Sequence, residues 1–240
     1  MINFSIVSIV NKEDVYTDFL YNVKRQNNIN YELIKIDNTK GQFDSARIAY
    51  NSVINNAKGE YILFCHPDIR FLDDYCLSKI YLCISKIQDF GVVGIAGCSF
   101  NNNERIFSSI VHGISKKSVG QTIDSPRKMQ TVDECFFIIK NSRVEVFSVN
   151  KGWHLYAVEL CLDYVRQGKE NYVVPANIWH ISDGKSLDYK YFLQLRKICQ
   201  ENLNFKFINT TVGNWHNTFL FRNFIIYFYS VKQIIKRRLI

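Results

Sequence analysis

Four short apolar runs alternate with segments of helical spacing between residues 1 and 97, and this alternation limits the fold more than any other feature. The runs cover residues 4–10, 31–36, 61–65 and 92–96. Apolar, β-branched-rich runs of this length are typical of buried strands, and helices between strands allow the strands to run parallel. The sequence therefore predicts an α/β fold with a mostly parallel sheet and helices on both faces.

Helical spacing is found between these runs, at residues 15–24 and 44–56 and again after Asp73 and Asp74. Beyond residue 97 the pattern is mixed, and the predicted elements are strands at 106–111, 135–139 and 171–174, helices at 152–166 and 188–200, and a loop that contains Asp183 and Gly184. We expect one unit over residues 1–185, with halves 1–97 and 98–185, followed by a helical extension over 186–240. No shift in composition marks a boundary between them.

The chain has 240 residues and a net charge of +8, which favours an acidic partner such as a nucleotide, a nucleic acid or anionic lipid. No recognition helix, zinc finger or RNA-binding signature is present, so nucleic acid is not the expected partner. The seven cysteines form no CxxC pair and stand mostly in apolar segments, as expected of reduced, buried side chains. Because the N-terminus also lacks the basic region of a signal peptide, the sequence predicts a cytoplasmic protein.

Polar side chains follow three of the predicted strands at the point where each strand ends. Asn11 follows the first strand, Asp37 and Asn38 follow the second, and His66 and Asp68 follow the third. The carboxyl ends of the strands in an open α/β sheet border the crevice in which ligands bind. There, Asp68 can hold a divalent cation beside phosphate, and Asp37 can accept from a base or a ribose. Each residue singly also fits a turn or a loop cap, but together they favour a nucleotide site.

Four residues further along the chain are candidates for the rest of the site. His180 follows an apolar segment into a loop, and imidazole with carboxylate and diphosphate oxygens suits Mn²⁺ and is acceptable for Mg²⁺. Glu159 lies in an apolar helix with no basic residue four positions later, which makes it a candidate general base. Asp133 and Glu134 precede a buried run and are the alternative. Each candidate also has a purely structural interpretation. His180 is consistent with a core position, Glu159 with the solvated face of a helix, and Asp133 with Glu134 with the end of a loop.

The last segment of the chain, residues 219–240, is aromatic and aliphatic with a basic end. Its apolar run is too interrupted to predict a transmembrane helix. Aromatic and aliphatic residues beside lysines and arginines favour peripheral contact with an anionic membrane. An ordinary packing helix and a tail that dimerises are the alternatives.

The order and spacing of these motifs resemble the family-2 glycosyltransferases, which have the Rossmann-like GT-A fold. The resemblance covers roughly residues 1–185. His66-Pro67-Asp68 stands where that family usually has its Asp-x-Asp motif, as in a subgroup with His-x-Asp. The other segments that carry the resemblance are the first strand, Ile36-Asp37-Asn38, Ala49-Tyr50-Asn51, Gly59-Glu60 with the apolar run after it, Trp153-His154-Leu155-Tyr156 through Leu162, Gly168, Val173-Val174-Pro175 and Trp179-His180.

The resemblance implies transfer of a hexose from a nucleotide-sugar to an acceptor hydroxyl, with inversion at the anomeric carbon. It assigns Asn11, Asp37 and Asn38 to the nucleoside, and Asp68 and His180 to a Mn²⁺ or Mg²⁺ ion and the diphosphate. A carboxylate would deprotonate the acceptor, which would be a saccharide or a lipid-linked sugar. The process would be synthesis of cell-surface polysaccharide or glycolipid at the inner face of the membrane.

Two positions depart from the family pattern. His66 replaces the first carboxylate of the metal motif, so the site has one negative charge fewer. His66 is then a second metal ligand, a hydrogen-bond donor to a ligand, or a direct phosphate contact. Ala157 stands where the family usually has an acid that is often the base, so Glu159 or the pair Asp133 and Glu134 must supply it. Otherwise the chain is a non-catalytic nucleotide-sugar-binding module. A nucleotidyltransferase is disfavoured because no glycine-rich loop follows the first strand.

Overall fold

The computed structural model describes residues 1–101, 106–182 and 187–238, and its elements alternate as expected from the sequence. The strands are β1 (Phe4–Val10), β2 (Tyr31–Asp37), β3 (Tyr61–Cys65), β4 (Ile69–Phe71), β5 (Val93–Gly94), β6 (Ala96–Cys98), β7 (Ile106–Ser108), β8 (Ile110–His112), β9 (Lys117–Ser118), β10 (Arg127–Met129), β11 (Thr131–Val132), β12 (Phe136–Lys140), β13 (Asn171–Val173), β14 (Ile178–His180), β15 (Phe207–Asn209) and β16 (Asn214–His216). The helices are α1 (Glu13–Val23), α2 (Ala46–Ile54), α3 (Cys76–Ile84), α4 (Tyr156–Arg166), α5 (Tyr189–Glu201) and α6 (Ile226–Arg238), with a π-helical turn at Phe221–Ile225.

The main sheet has seven strands in the order β10-β13-β5-β12-β3-β1-β2. Strands β2, β1, β3, β5 and β13 run in one direction, whereas β12 and β10 run antiparallel to their neighbours. The insertion of β12 between β3 and β5 is the main departure from a doubly wound sheet. The predicted α/β fold with a largely parallel sheet and a mixed second half is confirmed.

Helices cover both faces of this sheet, as predicted. One core lies between the sheet and helices α1 and α3, and a second core lies between the opposite face and helices α2 and α4. A third core joins the outer side of α4 to α5, to the β15–β16 hairpin and to the start of α6. The extension after residue 186 therefore contains a hairpin as well as helices, and it packs on the rest of the chain. The expected boundary at residue 185 and the loop at Asp183 and Gly184 lie outside the described residues.

A smaller sheet, in the order β4-β14-β8-β9, forms beside the carboxyl end of β3. β14 pairs antiparallel with β4, which places His180 opposite Ile69, and parallel with β8, which places His180 opposite His112. β4 and β14 are too short to be predicted as strands from the sequence. The sequence instead predicts that the segment around His180 leads into a loop. This small sheet positions His180 next to the turn that follows β3.

Six of the seven cysteines are buried, in agreement with the expectation that they lie in the core. In the described parts of the chain, no helix combines the length and the apolar character needed to cross a membrane.

Candidate functional site

The site is built around the turn that follows β3. His66 N donates to Cys135 O at 2.9 Å, and Ile69 N donates back to His66 O at 3.2 Å, so Pro67 and Asp68 are held in a tight corner before β4. His66, Asp68 and His180 each offer a ligand atom, and these atoms lie within 4.8 Å of one another. The predicted convergence of Asp68 and His180 is therefore present in the structure.

Each histidine of this cluster is oriented by a second group. His66 Nε2 lies 3.0 Å from the hydroxyl of Tyr156, and His180 Nδ1 lies 3.3 Å from Nδ1 of His112. On its other side, His180 Nε2 lies 3.3 Å from Asp68 Oδ2. Partners of this kind fix the ring orientation and the tautomer of a metal-binding histidine.

The electrostatics of the cluster favour a charged Asp68. Burial works against ionisation, but the imidazoles of His180 and His66 outweigh it and hold the pKa of the Asp68 carboxyl below its usual value. Burial lowers the pKa of His66. It would also lower the pKa of His180, but the neighbouring Asp68 raises that pKa above its usual value. One carboxylate thus stands between two imidazoles, only one of which is favoured as a cation.

The donor set fits a divalent cation. Two imidazoles and a carboxylate suit Mn²⁺, and Mg²⁺ would take fewer of these groups and more water. Nε2 of His180 is buried and makes no hydrogen bond with the described residues, although Asp68 lies beside it. The 3.3 Å contact between this nitrogen and the Asp68 carboxylate places both groups close enough to bind the same cation.

Two cavities meet at this corner. The first, of about 630 Å³, is bordered by Asn11, Lys12 and Tyr50 near the ends of β1 and α2. The second, of about 610 Å³, lies on the other side and is bordered by His112, by His180 and by residues 210–212. The residues common to both linings are His66, Asp68, Glu134 and His154. The corner therefore separates two compartments, each large enough for a separate small ligand.

Among the residues that the structure describes, Glu134 and Asp68 are the two carboxylates that border both cavities. The Oε1 atom of Glu134 is buried and has no hydrogen-bond partner among the described residues. Burial and the adjacent charge of Asp133 raise the pKa of Glu134 to about 8, with Arg47 opposing the shift. A general base works best with a pKa near the operating pH, so this environment suits proton transfer.

Asp133 is arranged differently from Glu134. Its carboxylate accepts from Cys135 N at 3.0 Å and from Thr211 Oγ1 at 2.8 Å. Burial raises its pKa, but these hydrogen bonds outweigh the effect and keep the pKa of Asp133 below its usual value. Asp133 borders only the second cavity. Its two fixed hydrogen bonds make it a weaker proton acceptor than Glu134.

The structure argues against Glu159 as the general base. Its side chain is buried, Oε2 accepts from Arg47 Nε at 2.6 Å, and Oε1 accepts from Asn150 Nδ2 at 2.9 Å. The residues that border the two cavities do not include Glu159. Both carboxylate oxygens are therefore occupied by a buried cation and an amide, and the sequence could not reveal this because Arg47 lies 112 positions away.

The residues predicted for the nucleoside are only partly brought together. Asn38 is buried and donates to Asn11 Oδ1 at 2.8 Å, while its own Oδ1 accepts from Phe43 N. Asn11 is exposed and borders the first cavity. Asp37 is exposed at the end of β2, and its Oδ1 accepts from the backbone and hydroxyl of Thr39. Asn38 therefore orients Asn11, and neither Asp37 nor Asn38 borders the two cavities.

Several residues at the corner were missed by the sequence reasoning. Lys12 borders the first cavity, and Tyr156 contacts His66. His112 contacts His180, and Thr211 contacts Asp133. Lys12 could have been found from its place beside Asn11 at the end of the first strand. The other three are brought to the corner by tertiary contacts and give no local signal.

A family match over most of the sequence identifies the family to which the chain belongs. Residues 5–202 match the family described as "Glycosyltransferase like family", so the chain belongs to that family. Among curated proteins it is 23% identical over 206 residues to "ATP synthase subunits region ORF 6" of Fuscovulum blasticum, a match that covers 81% of this chain and 80% of that protein.

Solved structures of glycosyltransferases share the fold at low sequence identity. S. aureus TarS in complex with UDP-GlcNAc has a TM-score of 0.59 at 14% identity, over 85% of this chain and 67% of that one. The mannosyltransferase PcManGT from Pyrobaculum calidifontis, with GDP-Man and Mn²⁺, has a TM-score of 0.57 at 9% identity, over 85% and 64%. A Drosophila beta-1,4-galactosyltransferase 7 mutant with manganese, UDP-Gal and xylobiose has a TM-score of 0.51 at 12% identity, over 76% and 72%. The fold is therefore GT-A.

Proposed function

We propose that the protein transfers a sugar from a nucleotide-sugar to an acceptor hydroxyl, with inversion at the anomeric carbon. The observation that carries the proposal is the wall shared by the two cavities, in which the His66 and Asp68 corner and Glu134 face both compartments. A donor on one side and an acceptor on the other would meet at this wall. The solved structures with the same fold hold UDP-GlcNAc, GDP-Man and UDP-Gal, which supports a nucleotide-sugar as the donor.

The donor belongs in the cavity next to Asn11 and Lys12, with its diphosphate directed toward Asp68. Asn11, oriented by Asn38, would contact the nucleoside, and Asp37 would contact it only where the nucleoside extends beyond the cavity lining. Asp68 and His180, with His66 beside them as a ligand in the manner of a His-x-Asp motif, would hold Mn²⁺ or Mg²⁺. When bound, that cation supplies charge compensation to the departing diphosphate. Lys12 offers a second positive charge to the same phosphates.

Glu134 is the proposed general base. Its carboxylate takes the proton of the acceptor hydroxyl while the acceptor oxygen forms a bond to the anomeric carbon. The bond from that carbon to the diphosphate breaks with its electron pair, and the nucleoside diphosphate leaves from the opposite face. One displacement of this kind inverts the configuration, and the proton remains on Glu134 until it is returned to solvent.

The acceptor belongs in the second cavity, beside Thr210 and Thr211. A saccharide or a lipid-linked sugar, in synthesis of cell-surface polysaccharide or glycolipid, is the proposed class. We place the protein in the cytoplasm, at the inner face of the membrane. A hexose is the proposed transferred group.

The direct test is donor turnover by the purified protein with Mn²⁺ and a panel of nucleotide-sugars, measured as release of nucleoside diphosphate. We expect turnover with at least one donor and loss of most of it in Glu134→Gln. Glu145→Gln, which changes a glutamate outside both cavity linings, is the matched control and should keep the rate. Turnover that survives Glu134→Gln would refute the assignment of the base.

One observation favours a second candidate, a non-catalytic nucleotide-sugar-binding module. Ala157 is fully buried in the second core at the position where the family usually has an acid. Binding of a nucleotide-sugar without turnover, at any pH and with either cation, would support this alternative over the enzyme.

A further inference from the structure

The C-terminal helix has a large apolar face exposed to solvent. Leu220, Phe224, Tyr227, Phe228 and Ile235 are each more than half exposed. Their spacing of three, four or seven positions puts them along one side of the π-helical turn and α6. A contiguous exposed apolar surface of this kind marks an interaction site, whereas apolar residues scattered singly over a protein surface do not.

The opposite side of α6 already has its packing partner. Ile226 and Ser230 are buried, and Tyr229 stacks on Phe192 of α5 with ring centroids 5.6 Å apart. The exposed residues are thus not needed to attach the helix to the third core. The helix is apolar on two sides, and only one of them is used within the described chain.

The charged residues of this segment are all basic. Residues 202–240 contain six lysines and arginines and no aspartate or glutamate, so most of the net charge of +8 belongs to this part of the sequence. Lys232 is exposed beside the apolar face, and three more basic residues follow at positions 236–238. An apolar face with the exposed cation Lys232 beside it, in a segment whose sequence has no acidic residue, is complementary to a surface that is apolar inside and negatively charged outside.

We propose that residues 219–238 lie on the surface of a bilayer that contains anionic lipid. The exposed aromatic and aliphatic side chains would enter the boundary between headgroups and acyl chains, and the lysines and arginines would contact the headgroups. The 13 residues of α6 span about 20 Å, less than the hydrocarbon thickness, so the helix lies in the plane of the membrane.

The position of this helix gives the contact a consequence for the candidate site. Tyr229 of α6 packs on Trp215 with centroids 6.0 Å apart, and Trp215 packs on Tyr191 with centroids 6.4 Å apart. Tyr191 borders the second cavity. A chain of packed aromatic rings therefore fixes the membrane-facing helix to the wall of the proposed acceptor compartment, where a lipid-linked substrate would arrive from the same surface.

The test is sedimentation of the full-length protein with vesicles. The expected result is binding to vesicles of phosphatidylcholine with phosphatidylglycerol, weaker binding to pure phosphatidylcholine, and a decrease with added salt. Phe224→Ser with Phe228→Ser should weaken binding at least about tenfold. The matched control is Tyr21→Ser with Leu82→Ser, which changes two equally exposed apolar residues on α1 and α3 and should leave binding unchanged.

A second variant separates lost binding from lost folding. Lys232→Gln with Lys236→Gln keeps the apolar face, and we expect it to weaken binding only to the anionic vesicles. Absence of vesicle binding by the unaltered protein at low salt would overturn the proposal. The proposal would also be overturned if the protein bound no vesicles and light scattering showed a dimer that Phe224→Ser with Phe228→Ser dissociates. The partner of the apolar face would then be a second copy of the chain. Neither result bears on turnover with a soluble acceptor, which tests the proposed function separately.

Discussion

The buried pair of Arg47 and Glu159 gives the sharpest prediction, because it separates a structural role for Glu159 from a catalytic one. The Arg47 and Glu159 side chains are 2% and 8% exposed, and Nε and Oε2 are 2.6 Å apart. Glu159→Gln keeps the shape of the side chain but removes its charge. Arg47 then remains as a buried cation whose charge is no longer compensated.

The expected cost of Glu159→Gln follows from this geometry. Removing one partner of a buried ion pair typically costs about 3–5 kcal/mol, because the remaining charge keeps its desolvation penalty. For a chain of this size, that corresponds to a decrease in Tm of roughly 6–20 °C. Urea unfolding followed by circular dichroism measures the loss, with a change in midpoint at constant slope.

Two further variants control the interpretation. Glu201→Gln removes a carboxylate from the exposed pair with Lys197, whose atoms are 3.8 Å apart, and should cost less than about 1 kcal/mol. Arg47→Met combined with Glu159→Leu removes both charges and should be more stable than Glu159→Gln alone. Unchanged stability in Glu159→Gln together with complete loss of donor turnover at low temperature would refute the structural role and restore Glu159 as the base.

Three other predictions concern the corner itself. Burial raises the pKa of Glu134 to about 8, and a general base must be deprotonated, so turnover should rise with pH up to about 8. Glu134→Gln should abolish this rise and lower the rate by about 10²–10⁴. A rise with pH that persists in the variant contradicts the assignment of Glu134 as the base. Asp68→Asn and His180→Ala should each weaken Mn²⁺ binding, measured by calorimetry, at least about tenfold. An affinity for Mn²⁺ equal to that of the unaltered protein would exclude the changed residue as a ligand. Tyr156→Phe removes the hydroxyl 3.0 Å from His66 and should weaken donor binding about fivefold without a change in fold; tighter or equal binding would show that this hydrogen bond does not orient His66.

The sequence predicts best those elements whose stabilising contacts are signalled locally. β1 and β3 have the predicted bounds because each is a mostly apolar run whose residues are all buried in the sheet. α5 begins after Asp188, whose carboxylate accepts from the backbone of the first turn. The helical spacing predicted from residue 44 begins later, at Ala46, because the N-cap is Ser45 and Asp44 pairs with Lys151.

The approximate place of the site was also available from the sequence. Polar residues at the ends of neighbouring parallel strands share one edge of the sheet, which is why Asn11 after β1 and His66 and Asp68 after β3 border the same cavity. His180 could be proposed as their companion from its place after an apolar segment and from the resemblance, but neither of these fixes where it lies. Its actual position depends on the pairing of three-residue strands, β14 with β4 and β8, which have no stability outside the folded chain.

What the sequence determined by itself is the α/β architecture, the corner after β3 and the set of candidate ligands, since these depend on the periodicity and order of residues along the chain. What only the tertiary structure decided is which of the buried carboxylates has its oxygens occupied by hydrogen bonds. Glu159 and Glu134 both lie in apolar surroundings, but Arg47 reaches Glu159 across 112 positions, whereas Oε1 of Glu134 has no hydrogen-bond partner among the described residues at the wall of two cavities. The physical reason is that the state of a buried charge depends on its neighbours in space, and a pattern along the chain does not specify them.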